Sequence, residues 1–344
     1  MLFRSQWALA SLPDPARPAE HGAPLRVALV QANVADYEAL RQQQGTGAVV
    51  QQVLDTHEAM SMAAVRGHQA DAVLWPETVY PTTLGQPKSP AGAAFDEAVL
   101  AFARQLGVPL VLGTFDRDAQ GEYNSAAFLA PQRGLLGHYR KTTLFPLTES
   151  TPAWLAQVPG LSPLPAWLGH WQAGDGARVF PLWLADGREV PVQALICLDA
   201  LDSAVALAAA RQGAQALLTL ANDSWFGPDS PGPRLHLAAA AFRSIETRLP
   251  QFRAASTGIS AVIDASGTVR ASGATATRTL VVGSLPVGAP RTTWLVRWGD
   301  WVGPAGALAL LILWLSAAWP WLWRRLSTAP ATESAPAKIG RAHV

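Results

Sequence analysis

Short apolar runs punctuate this chain, and several of the segments between them repeat apolar positions at helical spacing. Residues 26–31 form an apolar run that predicts a strand. Residues 45–67 carry Val49, Val50, Val53, Leu54 and Met60 on one side, which predicts a helix. A short strand is expected over 72–75, a second helix over 91–106 and a strand over 109–114. Residues 125–130 and 137–139 read as an antiparallel pair. Residues 150–190, rich in Pro, Trp and Gly, predict loops. A central strand over 193–197, a helix over 203–212 and a strand over 216–221 follow, the last opening into a loop at 222–227. A helix over 233–248 precedes strands at 252–255, 260–264 and 279–284, which are expected to close the sheet. Asp264-Ala265-Ser266-Gly267 reads as the hairpin turn between the last pair. Strands alternating with helices predict an α/β fold.

The pattern changes near the C-terminus. Between Trp301 and Trp323 there is no charged residue. At about 1.5 Å per residue, about 20 residues cross a hydrocarbon core of about 30 Å, so residues 301–323 predict one transmembrane helix. Trp294, Trp298 and Trp301 crowd one end, and Trp319, Trp321 and Trp323 the other, as expected of two interfacial belts. Arg324 and Arg325 follow at once, which assigns residues 324–344 to a cytoplasmic tail, with Arg297 as a countervailing charge. The domain before the helix then lies outside the cytoplasm. Residues 1–24 read as a Pro-rich linker, with Pro13, Pro15, Pro18 and Pro24, too polar for a signal peptide.

Composition narrows the classes. A chain of 344 residues accommodates one large domain, here 25–290, plus an appendage. A net charge of +1, without basic clusters interleaved with aromatics, argues against nucleic acid as a partner. A single cysteine excludes an internal disulfide and a zinc–thiolate cluster, and neither metal nor cofactor is expected.

That cysteine, Cys197, ends the apolar run Val192-Gln193-Ala194-Leu195-Ile196. Two further candidates stand at the ends of other segments: Glu77 in Leu74-Trp75-Pro76-Glu77-Thr78, and Lys141 after His138-Tyr139-Arg140. Taken singly, each has a plainer reading. A strand-end cysteine is more often an inert small hydrophobe. A Glu after Trp-Pro is more often a loop carboxylate, and a Lys beside Arg a solvated charge. Together they supply the parts of a thiol acyl-transfer site: a carboxylate to take the thiol proton, a thiolate to attack a carbonyl, and an ammonium to hold the oxyanion.

The flanking residues carry a resemblance. Trp75-Pro76-Glu77-Thr78, Tyr139-Arg140-Lys141 with Pro146 and Glu149, Ile196-Cys197, Asn222-Asp223-Ser224-Trp225-Phe226-Gly227, and Thr257-Gly258-Ile259-Ser260-Ala261-Val262-Ile263-Asp264 are similar to the nitrilase superfamily. So is His236 followed by Arg243 and Glu246. Within the superfamily, the segments most resemble the bacterial apolipoprotein N-acyltransferases. The resemblance implies an αββα four-layer sandwich and a Glu77–Lys141–Cys197 triad. It also implies an acyl chain moved from a membrane phospholipid, through a Cys197 thioester, to the N-terminal diacylglyceryl-cysteine of a lipoprotein. The inner membrane, with the catalytic domain in the periplasm, is the implied location.

Glu149, Asp199, Asn222 and Trp225 are the expected substrate-binding residues, with Asp223 beside the last two in the wall of the site. The Arg243–Glu246 pair, spaced i,i+3, is expected to be structural. Three departures bear on substrate positioning: Leu198-Asp199 where the family has Tyr-Glu, Pro146-Leu147-Thr148-Glu149 where it has Pro-Phe-Gly-Glu, and Ala39-Leu40 where it has Lys-Trp. A Glu at position 199 is accordingly expected to keep or raise transfer. The family also carries several membrane helices ahead of its catalytic domain. The two ends of the chain read like translated sequencing adapter, so a truncated gene is expected. Two other classes remain open: a membrane-tethered carbon–nitrogen hydrolase and a non-catalytic paralogue.

Overall fold

The computed structural model describes residues 22–34, 37–151, 169, 171–227, 229–289 and 291–327. Most of the expected linker at 1–24, part of the expected loop region at 150–190 and most of the expected tail at 324–344 lie outside them.

Two six-stranded mixed sheets form the domain. In the first, β1 (Pro24–Gln31), β2 (Ala72–Leu74) and β3 (Leu110–Asp118) run parallel. β4 (Gly121–Ala130) and β5 (Gly134–Arg140) extend that sheet as antiparallel hairpins. In the second, β7 (Glu189–Ile196), β8 (Ala216–Ala221) and β9 (Gln251–Ala255) run parallel. Antiparallel β6 (Phe180–Trp183) flanks them on one side, and β10 (Ala261–Ile263) with β11 (Val269–Ser272) on the other.

The helices are α1 (Tyr37–Gln44), α2 (Thr46–His68), α3 (Pro90–Leu106), α4 (Ser203–Arg211), α5 (Gly232–Thr247) and α6 (Trp294–Trp298). Strand alternation sorts the core. Leu25, Val27 and Leu29 of β1 join Phe180, Val192 and Leu218 of the second sheet in one apolar cluster. Ala28 and Val30 point the other way and pack with Val49, Val53, Val99 and Phe102 of α2 and α3. Helices cover the outer face of each sheet, giving the αββα order.

Several expectations need correction. β12 (Thr279–Pro286) does not close the second sheet; it pairs antiparallel with β1 at the edge of the first. The Asp264–Gly267 turn joins β10 to β11 instead. β6 falls inside the region expected to be loop. Pro181 removes a ladder donor, which a strand tolerates at a sheet edge, and β6 is an edge strand.

Residues 300–344 form a separate unit. Its helix α7 (Val302–Ser327) contains one window, Val302–Trp319, long and apolar enough to cross a membrane by length and composition. None of that window is buried.

Candidate active site

Glu77, Lys141 and Asn222 lie just beyond the C-terminal ends of β2, β5 and β8, and Cys197 follows β7 in the same way. Ligand sites in open α/β sheets form at such ends.

The seat of Glu77 starts with Trp75. Its ring is buried against His57 and Phe102, and its Nε1–H donates to Ser61 Oγ of α2 at 2.8 Å. Pro76 ends the strand, and Thr78 adopts φ 54°, turning the chain beyond Glu77. Gly113 of β3 lies directly beneath, and its N–H donates to Pro76 O at 3.1 Å. A Cβ at Gly113 would overlap Pro76 O, Thr78 N and Glu77 Cα, so this close approach requires glycine.

Arg140 and Lys141 are adjacent and point to opposite faces. Arg140 reaches Asp116 and Asp118 at 2.7 and 2.6 Å. Lys141 turns inward and is 2% exposed, so it is not the solvated charge its neighbour suggests. Its Nζ donates to Glu77 Oε1 at 3.1 Å and to Glu149 Oε1 at 2.7 Å. Burial opposes its charge, but Glu77, then Cys197 and Glu149, raise its pKa above the ordinary lysine value.

Asn124, which sequence reasoning missed, ties the two carboxylates together. Its Nδ2 donates to Glu77 Oε1 at 2.8 Å and to Glu149 Oε1 at 3.3 Å. Its carbonyl accepts from Lys141 N–H at 2.8 Å. The available signal was a polar pair, Asn124-Ser125, directly ahead of the apolar run Ala126-Ala127-Phe128-Leu129-Ala130 within β4. Glu77 Oε2 takes the backbone N–H of Asn222 at 2.9 Å, and Glu149 Oε2 that of Phe145 at 2.7 Å.

Cys197 is half-buried and has φ 48°. The left-handed region costs a side-chain-bearing residue about 1–2 kcal/mol. Such strain marks functional sites when the surroundings hold it in place. Burial, followed by the charge of Glu77, pushes the thiol well above its ordinary pKa; Lys141 and Arg253 oppose that shift.

Asp199 was expected to bind substrate. In the structure its side chain is fully buried and both oxygens are taken. Oδ1 accepts from the N–H groups of Thr142 and Thr143 at 3.1 and 2.7 Å. Oδ2 accepts from Tyr139 O–H at 2.8 Å and Ile196 N–H at 3.1 Å. It braces the lysine segment against the cysteine turn. Burial pushes its carboxyl up to about 6, against the pull of these donors and Lys141.

Trp225, also expected to bind substrate, has its indole 78% exposed. Phe226 N–H bonds Asp223 O at 3.0 Å, closing a turn that throws Ser224 and Trp225 outward. Asp223 points inward to His236 and Arg253. Asn222 contributes its backbone N–H to Glu77, while its side-chain oxygen accepts from Ser256 Oγ at 2.8 Å. The expected structural pair Arg243–Glu246 is an ion pair at 2.8 Å. A cleft of about 490 Å³ opens along the lysine segment, lined by Thr142, Leu144, Ser150, Thr151, Trp171 and Ala173. Among the described residues, no group of three His, Cys, Asp or Glu side chains is arranged to hold a metal ion.

A half-buried cysteine in a strained turn, under the charges of a carboxylate-bound lysine, on a double-sheet αββα frame, defines a class. Residues 26–292 match the carbon–nitrogen hydrolase family, and the chain belongs to it. It is similar to an apolipoprotein N-acyltransferase of Geobacter metallireducens, 28% identical over 302 residues, covering 86% of this chain and 54% of that one. The enzyme of the same name from Methylococcus capsulatus is 30% identical over 325 residues, covering 93% and 58%. The chain spans about half the length of the curated relatives it matches. Among solved structures, a mutant of the amidase from Nesterenkonia sp. AN1 shares the fold at TM-score 0.55 and 19% identity, covering 76% of this chain and 93% of that one. That structure shows the result of Michael addition of acrylamide at its active-site cysteine.

Proposed function

We propose that this chain is the catalytic part of an apolipoprotein N-acyltransferase, with Cys197 as nucleophile, Glu77 as general base and Lys141 as oxyanion partner. The observation that carries the reading is Lys141 held between Glu77 and Glu149 beside a strained cysteine. An ammonium has three N–H donors. Two go to Glu77 and Glu149, which leaves the third for a developing oxyanion.

In the first half-reaction Glu77 takes the Cys197 proton and the sulfur attacks a phospholipid ester carbonyl. The C–O bond breaks, and the lysophospholipid leaves with the proton returned by Glu77. In the second, the α-amine of a diacylglyceryl-cysteine attacks the thioester. The C–S bond breaks, an amide forms, and the amine's proton passes through Glu77 to the departing thiolate. Lys141 stabilises both tetrahedral oxyanions; one such donor is typically worth about 10²–10³ in rate.

Residues 25–290 form the catalytic domain in this reading, 301–323 its membrane span and 324–344 a cytoplasmic tail. The catalytic domain faces the periplasm from the inner membrane. Lipid substrates justify a tether, since each buried CH₂ is worth about 0.8 kcal/mol. The names of the relatives support the acceptor.

The test is incubation with phospholipid vesicles and a synthetic diacylglyceryl lipopeptide. N-acylated peptide is expected. Release of free fatty acid without peptide acylation would identify a membrane-tethered hydrolase instead, and no turnover a non-catalytic paralogue.

A further inference from the structure

Behind Cys197 lies a buried polar chain that the proposed reaction does not use. His236 of α5 faces the main-chain oxygen of Cys197 through Nε2, at 3.2 Å. A carbonyl oxygen only accepts, so this contact is a hydrogen bond when the ring carries a hydrogen on Nε2; Asp223 Oδ1, also an acceptor, asks for one on Nδ1. On the other side of the ring, Nδ1 faces Asp223 Oδ1 at 2.7 Å and Arg253 Nη2 at 3.2 Å. Arg253 in turn donates to Asp223 Oδ1 and Oδ2 at 3.3 and 3.0 Å. All three side chains are buried. They come from three elements: the loop after β8, α5 and β9. Phe226 packs edge-on against the imidazole, with ring centroids 6.4 Å apart.

We infer that His236 is a positioning residue for the nucleophile: its Nε2–H holds the Cys197 carbonyl and so keeps the left-handed turn that presents the sulfur. Cys197 has φ 48°, a conformation a non-glycine residue keeps only when its surroundings over-determine it. Its side chain cannot anchor the turn and also attack a substrate, so the main chain must be held: Asp199 does so from Ile196 N–H, and His236 from the Cys197 carbonyl. The Asp223–Arg253 pair fixes the ring, so the anchor runs from β9 through the histidine to the end of β7. This inference rests on Cys197 being the nucleophile.

The chain has one cysteine, so an adduct that maps to the peptide containing Cys197 and is absent in Cys197→Ala reports that sulfur. Two reagents separate positioning from mere integrity. Acylation by p-nitrophenyl butyrate requires the sulfur to approach a carbonyl along a defined path. Alkylation by iodoacetamide, a small mobile reagent, is more tolerant of direction. His236→Asn keeps a polar group near Nδ1 but cannot reach the Cys197 carbonyl; His236→Gln keeps a donor near Nε2.

The Asn variant is expected to acylate about tenfold to a hundredfold more slowly, the scale of a misplaced reacting group, while its alkylation rate changes less than about threefold. The Gln variant should recover most of the acylation lost in the Asn variant. Equal losses in both reactions, or equal rates in both variants, would overturn the positioning role. Failure of the wild type to acylate Cys197 at all would overturn the nucleophile reading and this inference with it. If circular dichroism shows His236→Asn unfolded, Asp223→Asn replaces it. That change frees the ring without altering its volume, and the same split between reagents is expected.

Discussion

Lys141 Nζ donates to Glu77 Oε1 at 3.1 Å across 64 residues of chain. The same oxygen accepts from Asn124 Nδ2, so the carboxylate is held from two sides. Its charge also reaches Cys197, where it disfavours the thiolate. Glu77 therefore has opposed effects: after burial, it raises the thiol pKa, and it is the proposed acceptor of the thiol proton during attack.

These effects separate in Glu77→Gln. Losing the negative charge lowers the thiol pKa, so the thiolate fraction at pH 8 rises and iodoacetamide alkylation accelerates. Losing the base slows acyl transfer by about 10²–10⁴. The wild-type alkylation rate should still be climbing above pH 9, since its thiol titrates above the ordinary range. Alkylation and acyl transfer falling together in the variant would show that Glu77 activates the resting thiol.

Gly113→Ala tests the seat of the carboxylate. The added methyl overlaps Pro76 O and Thr78 N, which displaces Glu77 without touching the other reactive groups. Acyl transfer should fall by about a hundredfold, as for other small misplacements of a reacting group. The stability loss should lie in the range of about 1–3 kcal/mol typical of overpacking. Urea denaturation and lipopeptide acylation measure the two effects; an unchanged acylation rate would mean that the loop yields and Glu77 stays.

Asp199→Glu reverses the expectation drawn from sequence. The family residue is one methylene longer, but Asp199 is fully buried and its two oxygens already meet four donors. The longer side chain must shift those donors, so about 1–3 kcal/mol of stability should be lost. Acyl transfer should fall too, because Thr142 and Thr143 flank Lys141. An acylation rate at or above wild type, with unchanged stability, would show that the turn accommodates the extra carbon.

Much of this architecture was legible. The strand over 216–221 and the helix over 203–212 were set by apolar runs and spacing, and the structure has Ala216–Ala221 and Ser203–Arg211. The three strand-end residues Glu77, Lys141 and Cys197 could be singled out because polar chemistry at the end of an apolar run is conspicuous. What could not be read depends on partners distant in sequence. β12 looks like any other strand, and only its pairing with β1 assigns it to the first sheet. Asp199 and Trp225 both sit in motif segments, yet one is buried and the other projects into solvent, a difference set by local turns. Asn124 lies 47 residues from Glu77, and His236 lies 39 from Cys197. No periodicity along the chain reports those meetings.

The central claim is that Cys197 carries the acyl group. Mass spectrometry of the intact chain after incubation with phospholipid vesicles tests it most directly. The account predicts a mass increase equal to one fatty acyl group. The adduct should map to the peptide containing Cys197, be released by neutral hydroxylamine as a thioester is, and be absent in Cys197→Ala. An acyl adduct on another residue, or lipid turnover undiminished in Cys197→Ala, would contradict it.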